Sequence, residues 1–440
     1  MDDLNVLRIG LEDEFPRGLS NAIIASPTIY DLIFDDCSPA VLLRFSRTCK
    51  AATIAVRSYI RRALNINRLL SRYFDDPVAF RSIQASTGTL ISGSTAVQFL
   101  GRWFYPDSDL DLYVPMRHSR KLGKWLMDAG YVFSPNTVQD ADFFTELLKM
   151  VESHERNSLS TSKVNTGMIY RMPGVAAIFN FVKAVGPGSP DFLKVQIIAS
   201  LNSPVACIFD FHCTCVMNLI THEKAYALYP RATFEDRCAL LCRSDGPTVI
   251  LNQALDKYAR RGWEIRRYRS REPGFDPALR STSRWIDDGL SWVVDLDMEG
   301  VEVPAAPLDM RTEVPPDSVT YTNWQLLWSW SEPYIYCTLL RSPLLDATYV
   351  VTDALLVMLL RGAFQGVRSG TEDVNRTIRD VLKIEHPRAM IASWEVYVTA
   401  IGIPFSTRSF HPSCLRGRKG GLKSSIYRMN SVNNLLRSHM

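Results

Sequence analysis

The sequence predicts an α+β protein, and three observations support this fold class. Two short helices, each opened by a Ser-Pro pair, are predicted within residues 26–46. A strand of alternating acidic and apolar residues covers residues 107–114, after a helix-compatible segment. Further strand-like runs follow as far as residue 199. Because helices and strands occur in groups, the order favours a small mixed sheet with helices on one face.

The composition limits the class of protein. A chain of 440 residues is too long for one small core, so more than one domain is expected. Apolar residues make up 46% of the chain and charged residues 22%, which is typical of a folded protein. No apolar run reaches the roughly 18–20 residues that a membrane span needs, and the first residues lack the parts of a secretion signal. We therefore expect an intracellular protein without a membrane segment.

Four regions are predicted along the chain. A helical unit covers residues 26–66, a central domain 67–245 and a mixed α/β region of unknown role 246–407, and a basic tail covers 408–440. Seven Lys and Arg residues and no acidic residue follow Glu395. Such a tail could contact nucleic acid or an acidic partner. A solvated terminus without a partner explains the same composition.

The most informative stretch begins with a Gly-Ser turn. Gly93 permits a tight turn, and with Ser94 it opens a helix whose free N–H groups could bind phosphate. The next strand places Asp107, Asp109 and Asp111 on one face and Leu110, Leu112 and Val114 on the other. Carboxylates this close repel one another unless a divalent cation lies between them. Together, the two features predict a site for a metal-bound nucleoside triphosphate.

Residues 90–114 resemble the nucleotidyltransferase signature of the polymerase-beta-type superfamily, a Gly-Ser turn and helix followed by Asp-x-Asp on the next strand. The resemblance implies that Gly93 and Ser94 hold the triphosphate. It also implies that Asp109 and Asp111 are catalytic residues that hold Mg²⁺, with Asp107 as a further candidate ligand. In the superfamily the metal assists attack on the α-phosphorus.

The superfamily has a third carboxylate on a later strand, which lowers the barrier to deprotonating the acceptor hydroxyl. The best candidate strand covers residues 192–199, and Gln196 stands where the acid is expected. An amide cannot accept a proton and is a weak metal ligand beside a carboxylate. Asp191 and Asp210 are nearby acids, but neither lies in the middle of the strand. This departure favours nucleotide binding without transfer; the alternative is an active enzyme in which Asp107 or Asp191 replaces the missing base.

The predicted helical unit has a motif of its own. Ser26-Pro27 and Ser38-Pro39 each begin a helix, and Leu-Leu-x-x-Ser-x-x-Cys-Lys follows from Leu42. This pattern resembles the F-box, which docks the Skp-type adaptor of an SCF ubiquitin ligase and carries a substrate-binding domain behind it. By position, the resemblance implies an adaptor contact made of Pro27, Ile29, Leu32, Ile33, Pro39, Leu42 and Leu43. The alternative is a helical cap packed onto the next domain.

Cysteine and histidine residues cluster between residues 207 and 242, but their spacing matches no standard zinc site. Cysteine is among the most buried residue types, so we expect core packing, with Cys238 and Cys242 on one face of a helix. A polar connection is expected from residue 131 to about 164. Helices are expected at 251–262, 350–361 and 373–384.

The whole chain resembles fungal-type F-box proteins that carry a nucleotidyltransferase-like domain. The leading hypothesis is an adaptor-binding protein and possible substrate receptor of an SCF ubiquitin ligase. Its central domain would bind a nucleotide or a protein ligand. Mg²⁺ and a nucleoside triphosphate are the implied cofactors, and a Skp-type adaptor and an unknown protein substrate are the implied partners. The alternative function is a metal-dependent nucleotidyltransferase that modifies protein or RNA.

Overall fold

A computed structural model describes part of the chain. The described residues are 23–159, 174–186, 189–242, 248–267, 278–279, 282–304, 319–320, 322–328, 333–340 and 348–352. The predicted strand at 167–171, the predicted helix at 373–384 and the basic tail at 408–440 lie outside them. Within the described residues, no helix is long and apolar enough to cross a membrane.

The helices and strands together form an α+β fold. The principal helices of the described residues are α1 (Pro27–Asp35), α2 (Pro39–Ser46), α3 (Lys50–Ala63), α4 (Ile66–Leu70), α5 (Pro77–Thr87), α6 (Gly93–Gly101), α7 (Ser119–Asp128), α8 (Phe143–Leu159), α9 (Pro204–Phe209) and α10 (Thr248–Arg260). The strands are β1 (Leu90–Ser92), β2 (Leu110–Pro115), β3 (Val132–Phe133), β4 (Val175–Ala184), β5 (Phe192–Ser200), β6 (Asn218–Ile220), β7 (Lys224–Ala227), β8 (Cys238–Leu240), β9 (Glu264–Arg266), β10 (Ser283–Trp285), β11 (Trp292–Asp295), β12 (Asn323–Trp328), β13 (Pro333–Tyr336), β14 (Thr338–Leu340) and β15 (Tyr349–Val351).

Helices α1 and α2 begin where the sequence predicts. The Ser38 side chain accepts a hydrogen bond from the Val41 N–H, and Pro39 occupies the first turn of α2. This capping satisfies a donor that would otherwise lack a partner. The helices α1, α2 and α3 enclose a small core of their own, formed by Tyr30, Phe34, Leu42, Ala55, Val56 and Tyr59.

Two side chains of the central part attach these helices to it. Glu235 accepts hydrogen bonds from the Ser38 hydroxyl (2.5 Å) and the Ala40 N–H (2.9 Å) at the beginning of α2. Arg102, which caps the end of α6, donates to the Phe34 carbonyl oxygen (2.8 Å) in the last turn of α1. Both contacts place a charge where it complements a helix dipole. The helical unit is thereby connected directly to α6.

A mixed sheet of eight strands lies at the centre of the described residues. Its spatial order is β11-β7-β6-β1-β2-β5-β4-β3. Strands β2 and β5 are parallel, and the other neighbouring pairs are antiparallel. The sheet is therefore larger than the small sheet predicted from the sequence, because β6, β7 and β11 extend it beyond β1. Strand β11 belongs to the predicted third region, although it pairs in the central sheet.

Both faces of the sheet are covered, whereas the sequence predicts helices on one face. The alternation along β2 is present, since Leu110, Leu112 and Val114 pack in one apolar cluster and Tyr113 packs in another. The first cluster includes side chains of α7 and α8, and the second includes side chains of α9 and α10. Asp111 shares a face of β2 with Tyr113, so it lies on the side of the sheet that α9 and α10 cover.

The structure differs from the predicted secondary structure at α8 and at β15. Residues 143–159 form helix α8, where a polar connection was expected; Phe143, Leu147 and Met150 are buried on one face at helical spacing. Residues 349–351 form strand β15 and pair with β14, so the helix predicted from residue 350 does not begin there.

Candidate functional site

Asp111 belongs to a row of polar residues that crosses four strands. It is paired with Ser92 of β1 on one side and with Gln196 of β5 on the other. Gln196 is paired in turn with Asn180 of β4, and its amide donates to Asn180 Oδ1 (2.9 Å). Paired residues on neighbouring strands point to the same face. The side chain that faces Asp111 from the parallel strand is therefore an amide.

Gly93 lies directly against the Asp111 carboxylate. Its φ of 67° is in the left-handed region that favours glycine. A Cβ atom at this position would lie 2.4 Å from Asp111 Oδ2, so a side chain would displace the carboxylate. Because β1 ends at Ser92, opposite Asp111, the turn that opens α6 is adjacent to the acidic strand. The structure thus brings together Gly93, Ser94 and Asp111.

Asp109 is held just before β2 by hydrogen bonds to its backbone. The Thr95 hydroxyl, from the first turn of α6, donates to the Asp109 carbonyl oxygen (2.8 Å). The Tyr73 hydroxyl donates to the carbonyl oxygen of Ser108 (2.9 Å). The first of these contacts connects α6, which begins at the predicted phosphate turn, to the segment that carries the first acid of the Asp-x-Asp pair.

The two acids proposed as substitute bases lie elsewhere. Asp107 was predicted on the strand face, but β2 begins only at Leu110 and Asp107 is exposed in the preceding turn, where Pro106 interrupts the extended chain. Asp191 is exposed and precedes the first residue of β5. It is five residues before Gln196, which corresponds to about 16 Å along a strand. This separation places Asp191 too far from Asp111 to replace Gln196 without a rearrangement.

A cavity of about 220 Å³ opens beside the Gly-Ser turn. Gly93, Ser94 and Asp111 line it, and so does Lys257 of α10. Much of the remaining wall is apolar and includes the rings of Tyr113, Phe211 and Tyr258. Residues on both sides of the predicted domain boundary at 245 therefore form one cavity. The boundary itself stays a prediction.

The charges around this cavity perturb one another. Burial, together with the neighbouring Asp109 carboxylate, raises the pKa of Asp111 to about 7, although Lys257 acts in the opposite direction. Burial also raises the pKa of Asp109, against the attraction of Lys194 and Lys257. Burial and the nearby Arg261 lower the pKa of Lys257. The site therefore combines carboxyl groups with ammonium groups, a combination suited to an anionic ligand that brings its own cation.

The donor set fits a Mg²⁺ ion delivered with a nucleotide. Mg²⁺ is usually held by one or two carboxylates plus the phosphates of the substrate. Asp109 and Asp111 supply two carboxylates. In the part of the chain that the structure describes, no group of three or more His, Cys, Asp or Glu residues could hold a metal by itself. Asp109 and Asp111 would hold the ion, which would neutralise phosphate charge in the bound nucleotide.

The cysteines of the central part lie in the core. Cys207, Cys213, Cys215, Cys238 and Cys242 are buried, as expected from core packing. Cys238 and Cys242 do not share a helix face, since residues 238–240 form β8, which pairs with β9. The Sγ atoms of Cys213 and Cys215 are 3.4 Å apart. His212, beside Cys213 in sequence, lines the cavity next to the ring of Tyr258.

The helical unit exposes most of the apolar residues predicted to contact an adaptor. Ile29, Leu32 and Ile33 are spaced along one outer face of α1, and Leu32 is 71% exposed; we call these three residues the α1 patch. Leu43 and Pro27 are also exposed. Pro39 and Leu42 are buried, so a partner could not reach them without a rearrangement. Exposed apolar groups of this kind often mark an interaction surface.

Sequence reasoning did not identify His212 or Lys257, and neither has a local signal. Lys257 was included only in the helix predicted at 251–262, and His212 only in the cluster of cysteine and histidine residues for which core packing was expected. Each comes close to Asp111 only through the folding of residues more than 90 positions apart in the chain. The sequence shows each of these residues, but it does not show that they lie together in one cavity.

Comparison of the chain with protein-family models, with curated proteins and with solved structures found no match.

Proposed function

We propose that this chain is a binding protein with two sites. Helices α1–α3 bind a Skp-type adaptor, and the cavity beside Gly93 binds a Mg²⁺-bound nucleoside triphosphate without transferring its nucleotidyl group. The protein would act inside the cell as a substrate receptor of an SCF ubiquitin ligase. The observation that carries the nucleotide half is the position of Gln196, which faces Asp111 where a base would be needed.

Three features of the site support the proposed binding of the ligand's phosphates. The first turn of α6 provides N–H groups that have no helical partner. Gly93 has no side chain, so this turn approaches the Asp111 carboxylate closely. Lys257 lines the same cavity and supplies a positive charge. A triphosphate with one Mg²⁺ would engage all three.

The absence of transfer rests on the neighbours of the aspartates. Gln196 cannot accept a proton, and its amide is already bonded to Asn180. Lys194 lies two residues before Gln196 on the same face of β5, and its positive charge lowers the pKa of Asp109. A lysine there opposes the binding of a second cation, which two-metal phosphoryl chemistry requires.

The adaptor half is supported by the exposure of the α1 patch. Three apolar side chains at positions i, i+3 and i+4 of one helix remain in solvent, while Tyr30 and Phe34 of the same helix fill the core of the helical unit. Glu235 and Arg102 attach the unit to the rest of the described chain through Ala40 and Phe34, neither of which belongs to the patch. The patch is therefore exposed in the part of the chain that the structure describes.

The second candidate function is an active nucleotidyltransferase that modifies protein or RNA. One observation favours it: the Asp111 carboxylate lies against Gly93 at the beginning of α6, so the residues implied as metal ligand and as phosphate turn are in contact. The test that separates the two functions follows α-³²P-labelled nucleoside triphosphates in the same samples. Binding without transfer of label supports the binding protein, and transfer that needs Asp109 and Asp111 supports the enzyme.

A further inference from the structure

The apolar part of the cavity has features that the phosphate turn and the aspartates do not explain. Phe211 packs edge-to-face against Tyr113, with ring centroids 5.7 Å apart. His212 packs against Tyr258, with ring centroids 6.1 Å apart. Both aromatic pairs contribute to the wall of the cavity. Flat rings at the end of a phosphate site are suited to a flat ligand group.

One nitrogen of a residue that lines the cavity lacks a partner. Nε2 of His212 is buried and makes no hydrogen bond within the part of the chain that the structure describes. Buried polar atoms nearly always have a partner, either in the protein or in a ligand or water. Since His212 lines the cavity, a movement of its ring towards the cavity would let a ligand there supply the missing hydrogen bond.

The volume limits what the cavity can hold. Pockets for complete drug-sized ligands measure about 300–1,000 Å³, whereas this cavity measures about 220 Å³. A nucleobase with part of its sugar suits the smaller volume, provided that the phosphates lie outside it. The phosphates would continue outward from the turn at Gly93 and Ser94, which line the same cavity, and Lys257 supplies a positive charge there.

We propose that the aromatic wall of this cavity is a nucleobase subsite, in which Phe211, Tyr258 and Tyr113 pack around the base and His212 Nε2 hydrogen-bonds to its edge. The proposal rests on the proposed binding of a nucleoside triphosphate at Gly93 and adds the part of the ligand that gives specificity. His212 is the specificity-determining residue of the subsite.

The test compares ATP, GTP, CTP and UTP with inorganic tripolyphosphate, each titrated into the full chain with Mg²⁺ in a calorimeter. Base stacking on aromatic side chains predicts that at least one nucleotide binds roughly 5- to 150-fold more tightly than tripolyphosphate. Equal affinity for all five ligands would overturn the subsite while leaving the phosphate site intact. Binding of none of them would overturn the proposed nucleotide function as well.

Two substitutions locate the subsite. Ala254→Trp fills the cavity from α10 and is expected to reduce nucleotide affinity to that of tripolyphosphate, leaving tripolyphosphate binding unchanged. Val249→Trp, at a position of the same helix that is 69% exposed, is the matched control and should change neither. A nucleotide preference that survives in Ala254→Trp contradicts the proposal.

A third substitution tests the role of His212. His212→Phe keeps an aromatic ring beside Tyr258 but removes the nitrogen, so the differences among the four nucleotides should shrink to less than about threefold while binding persists. Preferences that are unchanged in this variant would show that His212 does not read the base. Because His212→Phe retains the apolar wall, it remains informative if Ala254→Trp fails to fold.

Discussion

Gly93 and Asp111 are in such close contact that a methyl group on Gly93 would lie 2.4 Å from the Asp111 carboxylate oxygen. The glycine opens α6, and the aspartate lies on β2, where it is paired with the last residue of β1. This contact joins the predicted phosphate turn to the predicted metal ligand. It also means that neither residue can change without affecting the other.

The first prediction concerns Gly93→Ala. Alanine in the left-handed region costs about 1 kcal/mol, and the overlap with Asp111 Oδ2 adds strain, so a total loss of about 3 kcal/mol is expected. Gly88→Ala is the matched control, because Gly88 has nearly the same φ of 65° and nothing within 4 Å of a Cβ. Urea unfolding measures the free energies, and nucleotide titration should show loss of binding in Gly93→Ala alone. Equal losses of stability in the two variants would contradict the close contact.

The second prediction concerns pH. The pKa of Asp111 is raised to about 7 from an ordinary value of 3.8, so between these values the folded protein keeps a proton that the unfolded chain has lost. The free energy of unfolding therefore falls as the pH rises through this range, by at most about 1.4 kcal/mol per pH unit. Asp111→Asn should flatten the profile, as measured by urea unfolding between about pH 4.5 and 8. A profile that keeps its slope in Asp111→Asn would assign the effect to other groups.

The third prediction concerns the attachment of the helical unit. Glu235→Ala removes the acceptor of the hydrogen bonds from Ser38 and the Ala40 N–H, and an expected loss of about 1–2 kcal/mol follows. Relative to the unmodified chain, hydrogen exchange in this variant should become faster in α2 and stay the same in the central sheet. Asp236→Ala is the control, because its pair with Arg231 (3.4 Å) is largely exposed and contributes little. Unchanged exchange in α2 of Glu235→Ala would show that this contact does not hold the unit.

The fourth prediction concerns the α1 patch. Leu32→Asp places a charge in an apolar contact and should abolish co-purification with a Skp-type adaptor, with little effect on folding because Leu32 is 71% exposed. Ile54→Asp on α3 is the matched control; Ile54 is 69% exposed and lies outside the predicted contact residues. Adaptor binding that is absent from the unmodified chain, or that persists in Leu32→Asp, would contradict the adaptor half of the proposal.

The parts of the structure that depend on neighbouring residues were predictable from the sequence. Ser38 and Pro39 begin α2 through local capping, and Gly93 begins α6 through its conformational freedom. The strand from Leu110 was predictable from the alternation of acidic and apolar residues. Its first residue was not, because Pro106 interrupts the extended chain and Asp107 lies in the turn before the strand. Helix α8 was missed although Phe143 and Leu147 have helical spacing, since the polar residues around them were given more weight.

The parts that depend on distant residues were not predictable. The residue that faces Asp111 is decided by the register of β2 against β5, which places Gln196 there rather than an acid. The sequence offered Gln196 as a candidate but contained nothing to fix that register. Likewise, His212 and Lys257 meet at the cavity only because the segment after residue 200 and helix α10 fold over the second face of the sheet.

The central claim is that this cavity binds a nucleotide without transferring it, because Gln196 replaces a carboxylate. The most direct measurement incubates the chain with each α-³²P-labelled nucleoside triphosphate, with Mg²⁺ and with Mn²⁺, and follows both retention of nucleotide and transfer of label to protein and RNA. Gln196→Glu is included to restore a carboxylate opposite Asp111, and Asp109→Asn with Asp111→Asn is the negative control. We expect the unmodified chain to bind without transfer and Gln196→Glu to show transfer that the double variant lacks. Label transferred by the unmodified chain and lost in the double variant would contradict the claim and make the protein an enzyme.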